Sequence, residues 1–299
     1  MFKKIFRSLL LSLLIISCVV YSQEITERYK DLGEIFILEL ASAPFPHPAR
    51  MDGHKYKDET YSYLEHYKDS SVAVFIPKRF EPATASNIVV YFHGWYNNID
   101  TACSQFNLIE QFSQSNKNAI FIFPEGPKNS PDSFGGKLEE ENGLIDLVNH
   151  VLTELLEKEK LSSTNIGNII LAGHSGAYRV ISFCLKHGGL TSKVSDVILF
   201  DALYANTELY TTWIENYNGR FINIYTDNGG TKSKTEIMMN SLESKGIKYF
   251  MGEEIEVNLD DLFENRLIFI HSDLTHNDVI SERDQFLNYL KTSKLQRIE

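Results

Sequence analysis

From residue 72 onward, short apolar runs alternate with longer stretches in which apolar residues recur three and four positions apart. The runs at 72–76, 88–92, 119–123, 169–172, 197–200, 221–225 and 267–270 are nearly continuous in hydrophobicity and rich in β-branched and aromatic residues. Strands buried on both faces of a parallel sheet read this way. Between them, 106–114, 144–157, 177–185, 209–217, 235–242 and 277–290 carry helical spacing. The alternation predicts an α/β domain over 72–299, with a mostly parallel central sheet and helices on both faces.

Residues 23–71 differ in kind. Pro44, Pro46 and Pro48 break any element, and 56–67 is polar and rich in tyrosine. This segment is expected to be an extension that packs on the core or on the rim of a cleft. Residues 126–136, with two prolines and several glycines, form a loop directly after a predicted strand, the end of a parallel sheet at which ligands bind.

The N-terminus opens with Lys3, Lys4 and Arg7, continues through an apolar stretch from Leu9 to Val20, and reaches Ser22. Residues 1–22 resemble a secretory signal peptide, too short in its apolar part to span a bilayer. Export to the periplasm or the medium is expected, with no stable transmembrane segment after processing. Ile15-Ile16-Ser17-Cys18 is the competing pattern, a lipobox that would make a lipoprotein through Cys18. Cleavage after Ser22 is favoured, because Val20 and Ser22 are small and Ile15 stands where leucine is usual.

Removing residues 1–22 takes away three positive charges and no negative ones, so the net charge moves from −11 to −14. Such a surface repels phosphate backbones, and no Lys/Arg cluster interrupts it, so nucleic acid is excluded as a partner. Hydrophobic content of 43% with 12% aromatics suffices for one large core. Cys103 and Cys184 permit a disulfide, but Cys184 lies in the apolar pattern of a helix, where an unpaired thiol is the better expectation. No Cys/His spacing suggests zinc, and the pattern does not reveal an oligomeric state.

Gly173-His174-Ser175-Gly176-Ala177 follows an apolar run and precedes a helical one. Serine at that point also caps helices. As a nucleophile elbow the pentad has a mechanical sense, since small residues two before and two after the serine let strand and helix approach closely. A serine hydroxyl needs a base, a carboxylate to orient that base, and donors for the developing oxyanion. The order in this chain supplies all of them.

His276 follows the strand at 267–270 by a short loop and is the expected base. His271 still lies at the strand end, and His174 beside the serine is expected to point elsewhere. Two strands after the serine end in aspartate. Asp227 sits in Asp-Asn-Gly-Gly turn chemistry, whereas Asp201 has apolar neighbours that would bury it, and a buried carboxylate demands a partner. Asp201 is therefore favoured as the acid, with Asp227 the alternative. The oxyanion donors are the Gly176 N–H and, from the loop after the strand at 88–92, the Trp95 N–H, with Gly94 giving the backbone room to turn.

With Phe92-His93-Gly94, Ile122-Phe123-Pro124-Glu125-Gly126 and the Gly-His-Ser-Gly elbow, the chain from 72 onward resembles the α/β-hydrolase superfamily, and is similar to secreted esterases of the polyhydroxybutyrate-depolymerase and feruloyl-esterase type. Ala177 departs from the second elbow glycine. The resemblance implies an α/β-hydrolase fold, a Ser-His-Asp triad of Ser175, His276 and Asp201, and hydrolysis of an ester in a small molecule or polymer without metal or organic cofactor. A peptidase or amidase with the same triad, and a non-catalytic exported binding protein on the same scaffold, are the alternative readings. Trp95-Tyr96-Asn97-Asn98 and 129–136 are expected as cleft walls.

Overall fold

The computed structural model describes residues 24–298; the expected signal peptide and Cys18 lie outside the described residues. Eleven strands are assigned: β1 (Gly33–Glu39), β2 (His54–Tyr56), β3 (Glu59–Tyr61), β4 (Ser71–Pro77), β5 (Ser86–Phe92), β6 (Ala119–Pro124), β7 (Ile166–His174), β8 (Val194–Phe200), β9 (Arg220–Thr226), β10 (Phe250–Glu253) and β11 (Leu267–Ser272). Nine form one sheet in the order β1-β4-β6-β5-β7-β8-β9-β11-β10, and β2 with β3 forms a separate hairpin. β4 pairs antiparallel with both neighbours, and every other pair in the large sheet is parallel.

Side-chain alternation explains the continuous apolar runs. Val72, Val74, Ile88, Val90, Ile169 and Leu171 face one buried cluster, while Ala73, Phe75, Val89, Tyr91, Ile170 and Ala172 face another. A strand with helices on both sides has no wet face to encode as polar residues. The helix Gly143–Glu157 closes the first cluster with Leu144, Leu147, Val148, Val151, Leu152 and Leu155, a stripe at helical spacing.

Several expected elements are redrawn. The helix expected at 106–114 is found at Leu108–Gln114, and an unexpected helix, Ile99–Gln105, precedes it, the two separated at Asn107, whose φ is +49°. The helix expected at 277–290 is confined to Gln285–Lys291, because Asp284 at φ +52° ends a run of turns. β1 lies inside the segment expected as an extension and joins the sheet as an edge strand. β10 makes the opposite edge; its half-exposed Phe-Met-Gly-Glu sequence carries no clear strand pattern.

Cys103 and Cys184 are both buried and free. They belong to the clusters on opposite faces of the sheet, so no disulfide joins them, and burial raises both thiols far above their ordinary pKa. No helix among the described residues is long and apolar enough to cross a membrane.

Candidate active site

β7 ends at His174, a single 3₁₀ turn takes up Ser175–Ala177, and the helix Tyr178–His187 follows. Ser175 has φ +54°, a conformation that costs a non-glycine residue free energy and persists only where the surroundings impose it. Those surroundings are close. A Cβ on Gly173 would lie 2.6 Å from the Ala177 methyl, and one on Gly94 would lie 2.6 Å from Ser175 Cβ and 3.2 Å from its Oγ. The elbow thus needs glycine at 173, and the Ala177 methyl fills the space that glycine leaves.

Asp201 follows β8 and is fully buried. Its Oδ2 accepts from His276 Nδ1 at 2.7 Å and from Thr226 Oγ1 at 2.7 Å; its Oδ1 accepts from the Thr231 hydroxyl and, at 3.3 Å, from the Thr226 N–H. Burial pushes the carboxyl up, but the hydrogen bonds from His276, Thr231 and Thr226 outweigh it and leave the group below its ordinary pKa. Asp201 is therefore ionised at neutral pH. A Cβ on Gly229 would fall 1.6 Å from Asp201 Oδ2, so the Asp-Asn-Gly-Gly turn closes over the carboxylate.

Asp227, the alternative acid, does not meet His276. It is exposed and pairs with Lys232 at 2.6 Å and with His271 Nε2 at 3.2 Å. Of the two aspartates, the one among apolar neighbours is the one that meets His276.

His174 does not point away from the site. Its Nε2 donates to the backbone carbonyl of His276 at 2.9 Å, and the two rings lie 4.4 Å apart at 35°. Burial, then the nearby His276, push its pKa down to about 3, so the ring is neutral and the carbonyl fixes its proton on Nε2. Tyr204 is a further neighbour that the sequence left unmarked. Its hydroxyl donates to Gly229 O at 2.5 Å. Burial and the Asp201 charge push it up to about 12, against the pull of a hydrogen bond with Ser175.

On the other side of Ser175 runs the loop after β5. The Trp95 indole donates to Ser133 Oγ at 2.7 Å, and a Cβ on Gly176 would come within 2.7 Å of the indole Cδ1. Trp95 and Gly176 are thus neighbours beside the serine, and Gly176, in the first turn of a helix, has an N–H without an intrahelical acceptor. Tyr96 N and Asn129 N bond Ser130 O and Asn97 O respectively, which joins the two expected walls. Tyr56 from the β2–β3 hairpin packs edge-on against Trp95 at 5.1 Å, and Tyr61 against Tyr96 at 6.3 Å. Trp95 is 39% and Tyr96 55% exposed, so an aromatic strip leads outward from the serine. A cavity of ≈ 20 Å³ lies beneath Gly176 and Ala177, lined among others by Phe92, Phe134 and Val180, room for about one water.

No family model matches the sequence, and no curated protein does. Solved structures do match in shape. The feruloyl esterase module of Clostridium thermocellum aligns with a TM-score of 0.55 at 12% identity, covering 88% of each chain. A fluorophosphonate-binding serine hydrolase of Staphylococcus aureus aligns at 0.52 and 10%, covering 87% of this chain and 97% of its own. An S-formylglutathione hydrolase of Agrobacterium tumefaciens aligns at 0.50 and 10%, covering 89% and 95%. Likeness of this extent at so low an identity is a likeness of architecture: the chain has the α/β-hydrolase fold.

Proposed function

We propose that the protein is an exported serine hydrolase that cleaves carboxylic esters through an acyl-enzyme on Ser175. The observation that carries this reading is the 2.7 Å bond between His276 Nδ1 and the buried Asp201, made at the carboxyl ends of the central strands, where Ser175 follows β7 in its strained turn. His276 takes the proton from Ser175 Oγ as that oxygen attacks the acyl carbon, and Asp201 stabilises the imidazolium that forms. The tetrahedral oxyanion is received by the Gly176 and Trp95 N–H groups. The C–O bond to the alcohol then breaks, the leaving oxygen takes the proton from His276, and water repeats the sequence on the acyl-enzyme to release the acid.

The structural neighbours named as a feruloyl esterase and an S-formylglutathione hydrolase favour ester or thioester over amide. The strip of Tyr56, Trp95, Tyr96 and Tyr61 favours a ring-bearing ester, since sugar and phenolic rings stack on such side chains. Export rests on the N-terminal pattern Lys3 to Ser22.

The test is intact-mass labelling of the full chain with a fluorophosphonate probe, beside Ser175→Ala and His276→Ala, followed by matched ester and amide substrates. Stoichiometric labelling of the wild type, lost in both variants, with ester turnover at least a hundredfold above amide, is expected. A folded wild type that takes no label overturns the hydrolase reading, and faster amide cleavage overturns the ester.

A further inference from the structure

His93 and Glu125 stand outside the triad, and both side chains are almost wholly buried, 1% and 2% exposed. Burying an imidazole and a carboxylate side by side is expensive unless their hydrogen bonds are made. Here the bonds converge on one short loop. His93 Nδ1 lies 2.7 Å from the Gly94 carbonyl oxygen, which only accepts, so Nδ1 carries a proton. Nε2 lies 3.0 Å from Glu125 Oε1 and 3.1 Å from the Gly126 N–H. With its lone pair free, Nε2 accepts from Gly126; with a second proton, it gives Glu125 Oε1 a donor that this buried oxygen otherwise lacks. Both states keep the Nδ1 proton in place.

The other oxygen of Glu125 accepts from the Ile99 N–H at 3.3 Å. One carboxylate therefore faces both ends of the loop from His93 to Ile99, and that loop carries Gly94 and Trp95 past Ser175. The Gly94 carbonyl and the Trp95 N–H belong to one trans planar peptide, in which they point in opposite directions. Holding the carbonyl toward His93 turns the N–H away from it. The Trp95 N–H makes no hydrogen bond to another described residue, and Gly94 lies against Ser175 Cβ and Oγ.

Resting on the esterase reading, we propose that the buried His93–Glu125 pair is a positioning device for the oxyanion hole, holding the Gly94–Trp95 peptide so that the Trp95 N–H faces the oxyanion formed at Ser175. His93 and Glu125 touch no reacting atom. Their effect is confined to the transition state, because the oxygen of a ground-state ester carries little of the charge that the N–H is aimed at.

The experiment compares His93→Asn, His93→Gln, His93→Leu and Glu125→Ala in the full chain. Each is assayed for kcat and KM on p-nitrophenyl acetate and for inhibition by phenylboronic acid, whose boronate oxygen would occupy the oxyanion site. An Asn amide N–H stands near the position of Nδ1–H, while a Gln amide reaches toward Nε2. His93→Asn should keep kcat within about fivefold of wild type, whereas His93→Gln and His93→Leu lower it about 30-fold with KM within about twofold, the scale of a misaimed donor. Glu125→Ala should lower kcat about tenfold on the same scale, and boronate affinity should fall in step with kcat.

Equal kcat in the Asn and Gln variants, or losses that appear in KM alone, would overturn the proposal. The Asn and Gln comparison decides even where His93→Leu fails to fold. An active wild type whose His93 variants are equally active removes the positioning role alone. A wild type that turns over no ester removes the esterase reading and this role with it.

Discussion

His174, the residue immediately before Ser175, donates its Nε2 proton to the backbone carbonyl of His276 at 2.9 Å. The strand that ends at His174 is thus tied to the loop that carries His276, the proposed base. His174→Leu removes this donor while keeping an apolar volume. It should lower kcat on p-nitrophenyl esters about tenfold, with fluorophosphonate labelling slowed in parallel, as expected when a base is displaced by a fraction of an ångström.

The same histidine predicts an acid sensitivity. Its folded pKa of about 3 is depressed from 6.5 by burial and by His276. The unfolded chain takes up a proton below pH 6.5 that the folded one refuses, so the contribution to stability is present above pH 6.5 and is lost as pH falls toward 3. The slope approaches about 1.4 kcal/mol per pH unit. Asp201, Asp69 and Asp132 are also depressed, below 3.8, so their losses begin lower. Urea unfolding at pH 7, 6 and 5 should show this slope in the wild type. His174→Gln, which keeps a donor and cannot titrate, should flatten it; an unchanged slope would contradict the assignment.

Asp201→Asn and Asp227→Asn should separate cleanly. Asp201 is buried under four donors, His276 among them, whereas Asp227 is exposed and salt-bridged to Lys232. An Asn at 201 removes the charge facing the imidazolium and can present its amide to Nδ1, favouring the wrong tautomer, which costs about 10³–10⁴ in kcat in triads of this kind. Asp227→Asn should stay within about threefold, because an exposed pair contributes little. Steady-state kinetics on one ester suffice to decide, and comparable losses in both would return Asp227 to candidacy.

The elbow makes a stability prediction of its own. Gly173→Ala brings a methyl within 2.6 Å of Ala177 Cβ and 2.9 Å of Ile181 Cδ1, an overpacking that should cost about 1–3 kcal/mol. Ala177→Gly removes the first of these clashes, so the double variant should recover part of the loss. A coupling above about 0.5 kcal/mol in the double-mutant cycle, read by urea denaturation, is the expected result for residues in direct contact. Additive effects would mean that strand and helix separate instead of clashing.

The sheet was legible because its strands are buried on both faces and cannot hide their hydrophobicity; Val72 to Ile76 and Ile169 to Ala172 read directly. The edges were not. β1 shares a segment with Pro44, Pro46 and Pro48, and β10 has one half-buried side and a glycine. Strand-end position was enough to nominate Ser175, Asp201 and His276, and burial of Asp201 was foreseeable from Phe200, Ala202 and Leu203. His174 was misjudged, because its ring, beside Phe106, also packs against His276 and donates to that residue's carbonyl, a neighbour that only the folded loop after β11 supplies. Tyr204 gave no signal in one sequence, and Glu125 entered only within the motif of the resemblance, with no role of its own. Their positions depend on which carbonyls and amides the folded loops bring to them. The Glu125 of Pro124-Glu125-Gly126 reads as an ordinary loop acid until the β5 loop is laid against it.

Tyr96 combines two properties that a packing role does not explain. It is 55% exposed, and its φ is +56°, a conformation that costs a bulky residue about 1–3 kcal/mol. Its N–H is bonded to Ser130 O, so the loop imposes the conformation and the side chain bears the strain. Tyr96→Gly should therefore raise stability by about 1 kcal/mol, since glycine adopts positive φ freely, even as it removes aromatic surface next to Trp95. If that surface receives a ring of the substrate, KM for a phenolic or sugar ester should rise about 3–10-fold with kcat unchanged, as for a lost stacking contact of about 0.5–1.5 kcal/mol, while KM for p-nitrophenyl acetate, whose small acyl group and flat leaving group can use Trp95 alone, should move by less than about twofold. Tyr96→Phe controls for the hydroxyl and should behave as wild type. A variant that is more stable and a poorer binder of ring-bearing esters alone would mark Tyr96 as kept strained for its ligand. Equal KM across all esters would assign the strain to loop geometry instead.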